Sequence, residues 1–128
     1  MDRERNGRRI LAVEDDPNIM HLIVDTLEVA GYAVEGARLA EEALDRLAAG
    51  SFDAAVVDFA LPGKNGVELH REIQSLRPRL AERTLFISGF LQSKENLDYF
   101  LTHGAGYLPK PFRIEDLVES IDRMFEPA

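Results

Sequence analysis

The chain has 128 residues, 45% hydrophobic and 30% charged, which suits one globular domain with a real core and leaves no room for a second module. A formal net charge of -8 and a pI near 4.8 argue against nucleic-acid binding by this chain alone, since phosphate affinity comes from clustered Lys and Arg. The absence of cysteine excludes disulfides and thiolate metal sites.

The opening "MDRERNGRR" lacks the apolar core of a signal peptide, and no later run is long enough to span a bilayer. The expectation is a cytoplasmic protein with no membrane partner. Residues 1–7 read as a solvated, disordered leader and 8–128 as the folded domain.

From there short apolar runs alternate with amphipathic stretches. "ILAV" (10–13) predicts a first strand. It runs into Glu14, Asp15 and Asp16, then Pro17. A helix follows over 17–30, with Ile19, Leu22, Ile23, Thr26 and Leu27 at helical spacing and Gly31 as its stop. "YAVEGA" (32–37) is the second strand, carrying Glu35. The second helix, 39–50, places Leu39, Ala43, Leu44 and Leu47 on one face and closes at Gly50. "AAVVDF" (54–59) is the third strand and 66–76 the third helix. "TLFISG" (84–89), a helix over 93–103, "GYL" (106–108) and a helix over 114–125 complete the chain.

Strands each followed by a helix imply an α/β doubly wound fold: a three-layer sandwich around a parallel five-stranded sheet. The first, third and fourth runs are nearly all apolar, as strands buried on both faces are. The second carries a charge and the fifth ends in Pro109, which suits edges. Edges at 2 and 5 fit the order 2-1-3-4-5. In that order strands 1 and 3 are neighbours where the winding reverses, and ligands bind outside the carboxyl ends there.

Polar residues collect at those ends: Glu14, Asp15 and Asp16 after strand 1, Asp58 at strand 3, Ser88 at strand 4, and Lys110 after strand 5. Two unit charges about 4 Å apart interact by roughly 1 kcal/mol in water and about 4 kcal/mol near a protein surface. Crowded carboxylates therefore need a counter-charge, and Mg²⁺, held by one or two carboxylates with waters and phosphate oxygens, is a fitting one. Asp16 precedes Pro17 and reads instead as a helix N-cap.

The segments "VEDDP" (13–17), "VVDFALPGKNG" (56–66), "ISG" (87–89) and "GYLPKPF" (106–112), in this order and each at its strand end, resemble the receiver domain of two-component response regulators. The resemblance covers nearly the whole chain. It implies the flavodoxin-like (βα)5 fold and a phosphoryl group accepted on Asp58 from a sensor histidine kinase or a histidine phosphotransfer protein. It also implies Mg²⁺, with Mn²⁺ as a substitute, held by Asp15, Asp58 and the Ala60 backbone carbonyl, with Glu14 acting through water. By the same resemblance Ser88 contacts the phosphoryl group and Lys110 neutralises it. Ser88 and Tyr107 switch, and Lys110–Pro111 is cis. The protein would catalyse only its own phosphorylation and dephosphorylation, acting as a monomer or phosphorylation-dependent dimer on an output protein. Ala60 and Phe90, at positions that orient the hydrolytic water in this family, offer no side-chain hydrogen bond, which implies a long-lived phosphoryl group.

Each residue has a plainer reading. An acidic run before a helix can simply cap it, Asp58 can be a turn residue, Lys110 a solvated lysine, and Tyr107 a packing residue on an edge strand. His21, His70 and His103 lack ligand spacing and read as surface or packing residues. "GAGY" is no dinucleotide fingerprint, because Pro109 occupies the last glycine position. The competing function is a receiver-like interaction module that is never phosphorylated. No site residue is lost, which disfavours it.

Overall fold

The structure is a computed structural model and describes residues 7–89, 93–104 and 106–126. The expected leader lies outside it for residues 1–6. Five parallel strands, β1 (Arg9–Val13), β2 (Ala33–Ala37), β3 (Ala54–Asp58), β4 (Thr84–Ser88) and β5 (Gly106–Pro109), form one sheet in the order β2-β1-β3-β4-β5. Six helices are described: α1 (Pro17–Val29), α2 (Ala40–Ala49), α3 (Gly66–Leu76), α4 (Pro78–Glu82), α5 (Lys94–His103) and α6 (Ile114–Arg123).

Successive strand residues point to opposite faces, and two cores result. Leu11, Val13, Ala55, Val57 and Phe86 pack with α2, α3, α4 and α5; Ile10, Ala12, Ala54, Val56, Leu85 and Ile87 pack with α1 and α6. Every residue of β3 and β4 is buried, so only flanking helices on both faces can cover them.

Local chemistry sets the helix ends that matter for the rim. The Asp16 carboxylate accepts from the Asn18 and Ile19 amides at 2.9 and 3.3 Å, and Pro17 takes the first helical position. Asn65 and Glu68 form a reciprocal capping box that starts α3 beside the end of β3. Gly66 must be glycine: a Cβ there would lie 2.7 Å from the Asp58 carbonyl oxygen and 2.8 Å from the Phe59 Cα.

One expectation is corrected and one element is added. Leu39 does not join the buried face of α2; it is the extended N-cap and 42% exposed, while Ala40, Ala43 and Leu47 face the core. The stretch between α3 and β4, to which the sequence assigned no element, forms the short α4. Pro78 opens it, Leu80 and Ala81 bury its inner side, and the Thr84 hydroxyl donates to the Leu80 carbonyl at 2.9 Å. Five residues are too few to show helical periodicity in a sequence.

Gly66→Ala should destabilise the fold by about 1–3 kcal/mol, as forced overpacking does. Gly89→Ala, whose Cβ would meet only the Lys110 side chain at 3.6 Å, should stay within about 0.5 kcal/mol. Urea unfolding of both variants measures this, and equal losses would show that the close approach at Gly66 is no constraint.

Candidate functional site

Parallel pairing brings all the strand carboxyl ends to one rim, and the register decides which polar residues meet. Val13 pairs with Val57, Asp58 with Ile87 and Ser88 with Pro109, so the residues that follow leave the sheet at neighbouring points. Backbone bonds hold the exits in place: the Glu14 amide donates to the Ala37 carbonyl at 3.0 Å, Phe59 to Ile87 at 2.9 Å and Lys110 to Ser88 at 2.8 Å.

Glu14 is fully buried and Asp58 is 3% exposed. The Lys110 ammonium lies 2.6 Å from Glu14 Oε1 and donates to Asp58 Oδ2 at 3.3 Å. Glu14 Oε2 accepts from the Asp16 amide at 3.1 Å, and Asp58 Oδ1 from the Ala60 amide at 3.2 Å. Glu14 Oε1 touches the ammonium as an ion pair, yet has no well-directed hydrogen bond. Lys110–Pro111 is cis.

The electrostatics follow from this crowding. Burial pushes the Glu14 carboxyl up to about 7; the contact with the Lys110 ammonium and the hydrogen bond from the Asp16 amide oppose the rise, and the Asp58 charge adds to it. For Lys110, burial alone would lower the ammonium, but the hydrogen bond to Glu14 and the charges of Asp58 and Glu14 outweigh it and hold it above its ordinary value.

Carboxylate oxygens of Glu14, Asp15 and Asp58 all lie within 4.8 Å of one another. An all-oxygen donor set of three converging carboxylates, two of them buried, fits a hard cation such as Mg²⁺. Ser88 is fully buried at the end of β4. Asp16 faces its helix as a cap and stands outside the cluster.

Tyr107 sits apart on the edge strand, half-buried and stacked on Phe100 of α5 with ring centroids 5.4 Å apart. Phe100 also meets Phe59, the residue after Asp58, edge-on at 5.9 Å. Sequence reasoning missed this aromatic bridge. The aromatic directly after Asp58 and the "YF" pair at 99–100 were its only traces. Ala60 is half-buried, and Phe90 lies outside the described residues.

The 2-1-3-4-5 parallel sheet with acids at its switch point is the CheY-like flavodoxin class of fold. The chain matches the family model of the response regulator receiver domain over residues 10–122, and it belongs to that family. It is 35% identical over 121 residues to the response regulator receiver protein CpdR of Brucella abortus, covering 94% of this chain and 99% of that one. Of several longer curated relatives it spans about half the length.

Among solved structures, the CheY-like receiver domain protein of Methanospirillum hungatei superposes with a TM-score of 0.84 at 30% identity, over 92% of this chain and 93% of that one. TrrA of Thermotoga maritima, determined in complex with Mg²⁺ and BeF, superposes at 0.80 with 27% identity, over 91% and 98%. No helix among the described residues is long and apolar enough to cross a membrane.

A carboxyl raised in the folded state binds a proton that the unfolded chain has already released, between about pH 4.5 and 7. Its contribution to stability therefore declines as pH rises through that window. A bound cation should offset the loss. Thermal melts at pH 7.5 should show stabilisation by Mg²⁺ over chelator, up to about 2.7 kcal/mol at 100 times the dissociation constant. Asp15→Asn should abolish most of it, and identical wild-type melts would remove the metal site.

Proposed function

We propose that this receiver domain accepts a phosphoryl group on Asp58 in two-component signalling, with a histidine kinase or histidine phosphotransfer protein as donor. The supporting observation is the convergence on one buried aspartate of a lysine at 3.3 Å and two further carboxylates. An Asp58 carboxylate oxygen attacks phosphorus; the O–P bond forms as the donor P–N bond breaks, and the leaving imidazole keeps the electron pair and takes up a proton.

Phosphoryl transfer depends chiefly on positioning and charge neutralisation. Lys110, held between Glu14 and Asp58, places its positive charge beside the developing charge on the equatorial oxygens. Ser88 supplies a hydroxyl from the neighbouring strand to a phosphoryl oxygen. Asp15, Asp58 and the Ala60 carbonyl, with Glu14 beside them, would hold Mg²⁺, which would supply Lewis-acid neutralisation. The domain thereby catalyses only its own phosphorylation and dephosphorylation, in the cytoplasm.

A phosphoryl group adds roughly -1.5 to -2 charges. Drawing Ser88 toward it alters the space beside β4, and Tyr107 responds because its ring rests on Phe100. The face made by α5, β5 and α6 is then the one that reports the state to an output partner.

Acetyl phosphate with Mg²⁺ should add one phosphoryl mass to the wild-type chain, and Asp58→Asn should lose at least about 90% of that labelling; intact-mass spectrometry reads both. Lys110→Ala should still label, more slowly. Equal labelling of Asp58→Asn and wild type would move the acceptor elsewhere.

A further inference from the structure

Five polar or charged side chains are buried among the described residues: Glu14, Asp58, His70, Thr84 and Ser88. Three belong to the rim, and Thr84 is satisfied by Leu80 within its own turn. His70 remains, on α3, in the layer between the sheet and the proposed output helix. A buried imidazole without partners would be costly, and it has two. Nε2 lies 2.8 Å from the Ala81 carbonyl of α4, and Nδ1 lies 2.9 Å from the hydroxyl of Tyr99 on α5. Its ring packs edge-on against Phe86 of β4 at 5.0 Å and Tyr99 at 5.5 Å.

The partners define the protons. A carbonyl only accepts, so Nε2 carries the hydrogen. Burial, first among its causes, lowers the imidazole from its ordinary value, the Ala81 contact opposes this, and the nearby His103 charge adds to it. A neutral ring with hydrogen on Nε2 has a lone pair on Nδ1, so Tyr99 donates to His70. On its other side Tyr99 carries the stacked ring of His103 at 4.4 Å and the Arg71 guanidinium at 5.5 Å from its centroid.

Tyr99 and Phe100 are consecutive. One is hydrogen-bonded to His70; the other carries the Tyr107 stack and the contact with Phe59 beside the phosphoacceptor. α5 therefore cannot shift to release Phe100 without carrying the Tyr99 hydroxyl with it. His70 is anchored by α4 and β4, and a hydrogen bond tolerates only a few tenths of an ångström.

We propose that His70 is a positioning residue whose hydrogen bond from Tyr99 latches α5 in the resting arrangement and sets how readily the domain enters its activated state. The coupling rests on the reading of Asp58 as phosphoacceptor; the latch itself does not. A bond made in one of two arrangements and broken in the other biases their populations. Removing it should favour the other.

The test compares full-length wild type, Tyr99→Phe and Thr84→Val, the last losing a buried hydrogen bond in the same layer without touching α5. Amide exchange across residues 94–103 should quicken about threefold to tenfold in Tyr99→Phe, the size of one net hydrogen bond, and not in Thr84→Val. Nitrogen NMR of wild-type His70 should show the Nε2-protonated tautomer. Mg²⁺ with beryllofluoride, a phosphoryl mimic, should bind Tyr99→Phe about threefold to tenfold more tightly than wild type, although both variants are less stable.

Unchanged exchange in α5, or hydrogen on Nδ1, would overturn the latch. Quickened exchange with unchanged beryllofluoride affinity would overturn its control of activation and leave His70 a packing residue. Failure of wild type itself to bind beryllofluoride would refute the Asp58 reading and the coupling built on it, while exchange in α5 still decides the latch.

Discussion

The structure depends on an electrostatic conflict at the boundary between β1 and β3. Three carboxylates stand with oxygens within 4.8 Å of one another, and two of their side chains are buried. Like charges at such spacing, away from water, are tolerated only beside a compensating positive charge. Lys110 supplies one from the far edge strand, and its closest contact is Glu14 rather than Asp58. Crowding of this kind is what a hard cation would relieve.

The fold holds that conflict in place. Because β3 and β4 are buried along their whole length, the rim residues leave the sheet at fixed heights and cannot spread apart by local unravelling. Gly66 lets α3 begin against the Asp58 carbonyl, and the Asn65–Glu68 box starts the helix there. On the other side of Asp58, Phe59, Phe100 and Tyr107 form a continuous aromatic contact toward the edge strand. Charge at the rim and packing at the α5 face are thus adjacent parts of one layer, one residue apart in sequence at Asp58 and Phe59.

Most of the architecture was legible from hydrophobic pattern. Nearly all-apolar runs identified β3 and β4, and a charge in one run and Pro109 at the end of another marked the edges, which fit the order 2-1-3-4-5. The rim was legible because topology forces strand ends together, and Asp16 because capping is a local property. What escaped were features decided by tertiary packing. The stretch "PRLAE" (78–82) is too short for a period, and Leu39 fits a helical stripe but precedes the first helical residue. That Lys110 pairs foremost with Glu14 depends on side-chain reach across three strands. His70 read as a surface or packing residue and is buried, but its bond from Tyr99 lies 29 residues away, where a sequence offers no signal.

Binding of a divalent cation should relieve the charge conflict stored in the acidic rim. Calorimetric titration of the metal-free chain with Mg²⁺ at pH 7, repeated in buffers of different ionisation enthalpy, tests it most directly. With burial holding the Glu14 carboxyl above its ordinary value, cation binding should expel protons, and affinity should rise with pH. Binding with no proton release and no pH dependence, or no binding heat at all, would contradict the account.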